Sequence, residues 1–318
     1  MTSPYPFPRL PYVRLRCTLR ADAPAILPPF QGSLLRGAFG HALRRLSCAF
    51  GPRQACPDCA LRRTCVYPRI FETRIEGDPP PFLRGLPTSP RPYIFEPGTD
   101  ERTFKPGDPL PFDLLLLGQS ADLLPWALLA VERMARNGLG RDRIPFVLDD
   151  AKAATPAGTW KTVYAEGRIS PALAALQPLL PSGAPLPAGR AVLRFLTPTR
   201  LMVRGTLQEE PGFRPLVFAA LRRALELAWF HHPGEPLDWH FRPLLDQASA
   251  IRVAAQTFRW HDWQRYSNRQ GRKIEMGGFV GMMHLEGDLQ PFAPLLRMAE
   301  VLHVGKGATF GLGRVALD

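Results

Sequence analysis

From Leu10 to Arg20 the chain reads LPYVRLRCTLR, with apolar and polar residues alternating as they do in a half-buried strand. Pro28 and Pro29 break this pattern. Over Ser33 to Leu46 the spacing becomes helical. At about 100° per residue, Leu34, Leu35, Ala38, Phe39, Ala42, Leu43 and Leu46 fill one half of the wheel. Arg36, Gly37, Gly40, His41, Arg44 and Arg45 fill the other half. Gly37 and Gly40 each weaken such a helix by about 1 kcal/mol relative to alanine. Their place on the polar face points to something that needs close access to the backbone. A cysteine-bearing loop follows, then a proline-rich irregular stretch through Pro111. Phe112 to Leu117 reads as a buried strand, and Leu123 to Asn137 as a helix stopped by Gly138.

Pro178 to Gly189 (PLLPSGAPLPAG) is dense in turn residues and marks the expected boundary between two domains, 1–185 and 186–318. The second half repeats the order of the first. Ala191 to Leu196 is a strand, Phe213 to Phe230 a helix, and Ile251 to Phe258 and Phe279 to Leu285 strands. Leu289 to Leu302 is a helix, and Val315 to Leu317 a closing strand. Strand–helix–strand–strand–helix–strand is the order of the ferredoxin-like unit, which RNA-recognition modules share. The expected fold is α+β: two tandem ferredoxin-like (RRM-like) domains, the first carrying a four-cysteine insertion.

The net charge of +12 changes the picture from fold to partner. Nearly all of it is arginine, whose planar fork binds phosphate bidentately and stacks on bases. Coding bias in a GC-rich genome also enriches arginine, but a balance this basic favours a polyanionic partner. No segment has the roughly 18 consecutive apolar residues of a membrane span, and the N-terminus lacks the apolar core of a signal peptide. A soluble, cytoplasmic protein is expected, with no membrane partner.

Cys48, Cys56, Cys59 and Cys65 stand at C-x7-C-x2-C-x5-C, all within residues 48–65. In a cytosolic chain thiolates this close are metal ligands more readily than disulfides. A tetrahedral zinc site is expected, with an iron–sulfur cluster as the alternative. Either would be structural, because four protein ligands leave no open position for chemistry. Four unmetallated thiols are the plainer reading. Cys17 falls in the first strand and is expected in the core.

The chain ends with HVGKGATFGLGR over 303–314, in which Gly305, Gly307, Gly311 and Gly313 surround Lys306 and precede Arg314. Free backbone amides in such a loop can cradle phosphate. A nucleotide-binding fingerprint would follow a strand and open a helix. Here the loop follows a helix and opens a strand, which suits an extended polyphosphate, that is, nucleic acid.

Several stretches together resemble one family. These are LLRGAFGHALRRLSC running into the cysteines, YPRIFE at 67–72, RPYIFEP at 91–97, GLGR at 138–141, LRFLTPTRL at 193–201, WHDWQRYSNRQ at 260–270 before GGFVG, and the C-terminal glycine loop. The combination is similar to the CRISPR-associated endoribonucleases of the RAMP superfamily that process precursor crRNA. The resemblance implies binding of CRISPR repeat RNA and one cut per repeat without metal. The ribose 2′-OH would attack the adjacent phosphate, leaving a 2′,3′-cyclic phosphate and a 5′-OH. It also implies partners among the subunits of a CRISPR effector complex. The alternatives are a related subunit that holds crRNA without cutting it and a zinc-stapled DNA-binding regulator. No recognition-helix pattern supports the regulator.

The resemblance places a catalytic histidine on the first helix, which here is His41. Its reference pKa of about 6.5 suits acid or base chemistry near neutrality. Arg36, Arg44 and Arg45 would line the RNA path, and Arg265, Tyr266 and Arg269 would contact RNA, Tyr266 by stacking. Lys306 and Arg314 would contact phosphate. His231 and His232 are expected to help a helix C-terminus, and His303 to be structural or to border the scissile region.

Overall fold

The computed structural model describes residues 5–51, 54–75, 77–86, 88–234, 237, 240–267 and 271–318, without the side chains of 82, 265–267 and 272. The chain divides into two compact units. The first is Pro11–Leu180 with Phe230–His232, and the second is Met1–Leu10, Pro181–Trp229 and Pro233–Asp318.

The first unit opens with β1 (Tyr12–Ala21), whose Val13, Leu15, Cys17, Leu19 and Ala21 point inward. Helices α1 (Gln31–Ser47) and α2 (Val66–Ile70) follow. Next come β2 (Tyr93–Pro97), β3 (Pro109–Leu117), α3 (Leu124–Arg136), β4 (Phe146–Ala154), β5 (Trp160–Ala165) and β6 (Arg168–Ile169). The antiparallel sheet runs β2-β3-β1-β4-β5-β6, with Leu15 opposite both Leu114 and Ala153. One core joins the inward residues of β1 to Leu35, Phe39, Ala42 and Leu43 of α1 and to Leu128, Val131 and Met134 of α3. The wheel read from sequence is therefore the wheel observed. Across the same sheet, Arg14 pairs with Glu96 and Asp113, Arg16 with Asp113, and Arg20 with Asp149. Part of the arginine excess is thus neutralised where it stands.

The second unit has β7 (Arg190–Thr199), α4 (Phe213–His231), α5 (Arg242–Ala250), β8 (Arg252–Gln256), β9 (Gly278–Glu286), α6 (Ala293–Leu302) and β10 (Val315–Leu317). Its sheet runs β8-β9-β7-β10, with Leu193 opposite Met283 and Phe195 opposite Val315. Both sheets share one plan: taken in chain order, the main strands lie 2-3-1-4. The α+β expectation holds. The helix expected over Leu289–Leu302 begins as a 3-10 turn, Gln290–Phe292, because Pro291 cannot join a regular ladder. Strands β2, β4 and β5 and helix α5 were not read from the sequence. Among the described residues no helix is long and apolar enough to cross a membrane.

Candidate nucleic-acid interface and active site

The polar face of α1 splits into two strips. His41 and Arg45 are exposed, and His41 makes no hydrogen bond or ion pair with a described residue. Arg36 and Arg44 are half-buried instead. The Arg36 guanidinium lies 4.7 Å over the Phe71 ring, and that of Arg44 lies 5.7 Å over Tyr67. Arg44 also donates to the Gln54 carbonyl at 2.7 Å. Gly40 was expected on the open face but is buried. A Cβ there would come 2.2 Å from the Phe71 Cζ atom, so the group that needs its bare backbone is an aromatic ring of the same chain. Nothing lies within 4 Å of the corresponding point on Gly37. Tyr67 and Phe71 were not singled out in the sequence. Their signal is two aromatics one helical turn apart in YPRIF, just after the last cysteine.

Cys48 follows α1 directly, its amide bonded to the Arg44 carbonyl at 2.9 Å, and Cys65 precedes α2. Between them the Cys59 amide bonds to the Cys56 carbonyl at 3.3 Å, closing the C-x2-C turn. All four thiols are free, and all four line one cavity of about 20 Å³. Burial pushes the Cys56 thiol up to about 11, and the neighbouring Glu72 adds to the effect. The sulfurs are not drawn together as a finished ligand set: among the described residues, no group of three or more His, Cys, Asp or Glu is arranged to hold a metal ion. The donor chemistry and the shared cavity fit a thiolate-bound ion. Cys17 is fully buried in the sheet, as expected.

The glycine loop packs against its own domain. Gly305 has φ +83°, and a Cβ there would meet the Arg200 carbonyl oxygen at 2.5 Å. Gly313 has φ +70°, and a Cβ there would meet the Val304 oxygen at 1.9 Å. These two glycines therefore serve close packing of backbone on backbone. Gly307 and Gly311 flank a 3-10 turn, Ala308–Phe310. Several amides are already committed. That of Lys306 bonds to Arg200, that of Gly313 to Pro198, and that of Arg314 to the Thr197 hydroxyl. The Lys306 side chain is exposed and has no ion pair among the described residues. Beneath the loop, Arg223 donates from Nε to the Leu302 carbonyl at the end of α6, and desolvation lowers its pKa to about 10. That arginine was also missed. Its signal is a charge on the apolar stripe formed by Leu216, Ala220 and Leu227.

Two other histidines are committed elsewhere. His303 is wholly buried, with Nδ1 donating to the Leu312 carbonyl at 3.0 Å. It fills the structural role rather than bordering the scissile region. His231 is the last residue of α4, and its Nε2 donates to the Pro90 carbonyl at 2.6 Å. Burial lowers its pKa to about 4, so it is neutral at physiological pH. It therefore does not serve as a cation at the helix C-terminus, which corrects the expectation. Arg265 and Tyr266 lie on a short strand, Gln264–Ser267, that pairs with Arg272–Glu275, but their side chains are outside the described residues. Arg269 lies outside them altogether.

Comparison with known proteins adds to this geometry. Residues 10–176, more than half of the chain, match the model of the AF_1859 N-terminal domain. Residues 193–315 match that of the CRISPR-associated endoribonuclease Cas6. No curated protein matches the chain by sequence. The structure is similar to that of a Cas6 (TTHB231) product complex, at 18% identity over 99% of this chain and 100% of the other, with TM-score 0.56. It is similar to Thermus thermophilus Cas6 (TTHB231) at 16% identity, over 98% and 99% of the two chains, with TM-score 0.53. A chain of a partial Cas6-RT-Cas1–Cas2 complex is also similar, at 15% identity over 100% of this chain and 47% of that one, with TM-score 0.55. At these identities the structural likeness concerns the fold alone.

Proposed function

The chain belongs to the CRISPR-associated RAMP-type proteins, with an AF_1859-type N-terminal domain and a Cas6 domain, and on that premise we propose that it cuts precursor crRNA within each repeat. Each unit is read as a ferredoxin-like domain, a reading supported by the shared 2-3-1-4 strand order. The reaction is attack of the ribose 2′-OH on the adjacent phosphorus. The 2′-oxygen–phosphorus bond forms and the bond to the 5′-oxygen breaks. The 2′-OH loses its proton, and the 5′-oxygen gains one. The products are a 2′,3′-cyclic phosphate and a 5′-OH, with no metal ion taking part.

His41 carries the proton transfer in this proposal. The observation behind it is that His41 stands exposed and uncommitted on α1 beside Arg45, whereas His231 and His303 are tied to backbone carbonyls. Arg45 supplies positive charge for the non-bridging oxygens. Lys306 and Arg314 hold phosphates of the bound strand. Cys48, Cys56, Cys59 and Cys65 hold a structural zinc ion, or an iron–sulfur cluster, that takes no part in the chemistry. Their shared cavity supports this assignment. CRISPR repeat RNA is the substrate. The Cas6-RT-Cas1–Cas2 neighbour supports a search for protein partners as well.

The test is cleavage of a labelled repeat RNA in EDTA, wild type beside His41→Ala. Cutting that leaves a cyclic phosphate and falls by about 10²-fold or more in the variant, the usual scale of a general acid or base, supports the proposal. Normal cutting by the variant removes His41 from the mechanism. Tight binding without cutting by the wild type makes the protein a crRNA-holding subunit.

A further inference from the structure

We propose that the segment from Cys48 to Cys65 is a metal-filled brace for helix α1. Tyr67 and Phe71 act as positioning residues that carry its state to the turn bearing His41. The catalytic consequence rests on the role proposed above for His41, whereas the mechanical part does not.

Among the described residues of this segment none is buried. A stretch without a buried residue has no core to hold its shape, and small elements of this kind are held by disulfides or by a metal. All four cysteines are free, so disulfides do not supply the hold. The four thiols converge on a single cavity of about 20 Å³, room for an ion rather than for a side chain. Thiolates closing on an ion there would fix both ends of the segment at once, because Cys48 ends α1 and Cys65 starts α2.

From α2 the constraint reaches α1 through aromatic rings. Tyr67 and Phe71 are stacked, with centroids 5.4 Å apart and planes at 22°. Phe71 stacks in turn on Tyr93 of β2, at 5.7 Å and 11°. Tyr93 is fully buried, so this end of the column is fixed to the sheet. Along α1 the column meets Arg36 over Phe71, Gly40 under the Phe71 ring, and Arg44 over Tyr67. These three positions are successive turns of one helical face. His41 is the neighbour of the middle one. A helix held at 36, 40 and 44 by a fixed column keeps the 37–41–45 strip, with His41 and Arg45, at a fixed angle.

The experiment is hydrogen exchange of α1 in the full chain without RNA, after thiol-bound metal has been released with an organomercurial and the thiols reduced, with and without added zinc. The expected result is one zinc per chain and about tenfold slower exchange of amides 37–45 when zinc is present, a local-stability effect. Cys59→Ser loses both. Phe71→Leu binds zinc as wild type does but loses the slowing, and Tyr67→Leu is the second variant should Phe71→Leu fail to fold. Absence of zinc binding overturns the proposal, as does zinc binding that leaves exchange of 37–45 unchanged in the wild type. Slowing that survives both aromatic substitutions also overturns it. Cleavage at saturating RNA is measured alongside. If exchange behaves as expected but His41→Ala still cuts, the brace stands and the role given to His41 falls.

Discussion

His303 Nδ1 lies 3.0 Å from the carbonyl oxygen of Leu312, nine positions along the chain, and this bond closes the glycine loop on itself. The histidine is fully buried and holds φ +62° and ψ 167°. That region is essentially reserved for glycine and costs other residues about 1–3 kcal/mol. Substitution separates the two effects. His303→Ala loses the bond and keeps the strain, a loss of about 2 kcal/mol with the Leu312 oxygen left unsatisfied. His303→Gly loses the bond but relieves the strain, so it is the less destabilised variant. Denaturant midpoints decide the order, and a glycine variant weaker than the alanine one would show that the backbone is not strained there.

Gly313 makes a harsher case. Any Cβ on it would lie 1.9 Å from the Val304 oxygen while φ stays at +70°. Backbone, not a flexible side-chain end, is in the way, so the loop must move. Gly313→Ala is expected to cost more than about 2 kcal/mol and to weaken RNA binding more than His303→Gly does. Thermal unfolding and a binding titration on the same samples check both parts.

What the sequence made legible follows from the kind of signal each element carries. The apolar half-wheel of Ser33–Leu46 and the alternation of Leu10–Arg20 are local patterns set by one buried face, and both elements are present. Strand β2 escaped because Tyr93, Ile94, Phe95 and Glu96 are all buried, which leaves no alternation to read. Strand β4 escaped because Asp149, Asp150 and Lys152 dilute its apolar residues, and the sheet tolerates them through ion pairs with Arg20 and within the strand. At the site, the outward face of His41 was legible from the wheel. The burial of Gly40 was not, since the ring that covers it arrives from residue 71, and no local pattern encodes that contact. His303 looked like an exposed loop residue for the same reason: its partner is a backbone carbonyl, which carries no sequence signature.

His231 makes stability depend on pH in a definite direction. Burial lowers its pKa from 6.5 to about 4. Above pH 6.5 the ring is neutral in both the folded and the unfolded chain, so pH has no effect through it. Between about pH 6.5 and 4 the unfolded chain takes up the proton and the folded chain does not, so stability falls as pH falls. Below that window both are protonated and the loss levels off near about 3 kcal/mol. His231→Gln, which keeps an N–H for the Pro90 carbonyl, is expected to lose about 3 kcal/mol less than wild type between pH 7 and pH 4. Urea unfolding at the two pH values measures this, and equal losses in the two proteins would clear His231 of the effect.

Salt dependence distinguishes the charges available to RNA from those spent on the fold. The Lys306 ammonium is exposed and has no ion pair among the described residues, whereas Arg20 is held by Asp149 at 2.8 Å. Each phosphate contact on a single strand contributes about 0.7 to the slope of log K against log salt. Lys306→Ala is therefore expected to flatten the slope by about 0.7, with affinity lowered most at low salt. Arg20→Ala frees an aspartate while removing a cation that was already neutralised. It leaves the slope within error of wild type, although its net charge changes by the same amount. The contrast matters because the chain's +12 would by itself predict equal effects from the two substitutions. Equal slopes in the two variants would mean that bulk charge, and not the placement of Lys306 in the glycine loop, governs binding.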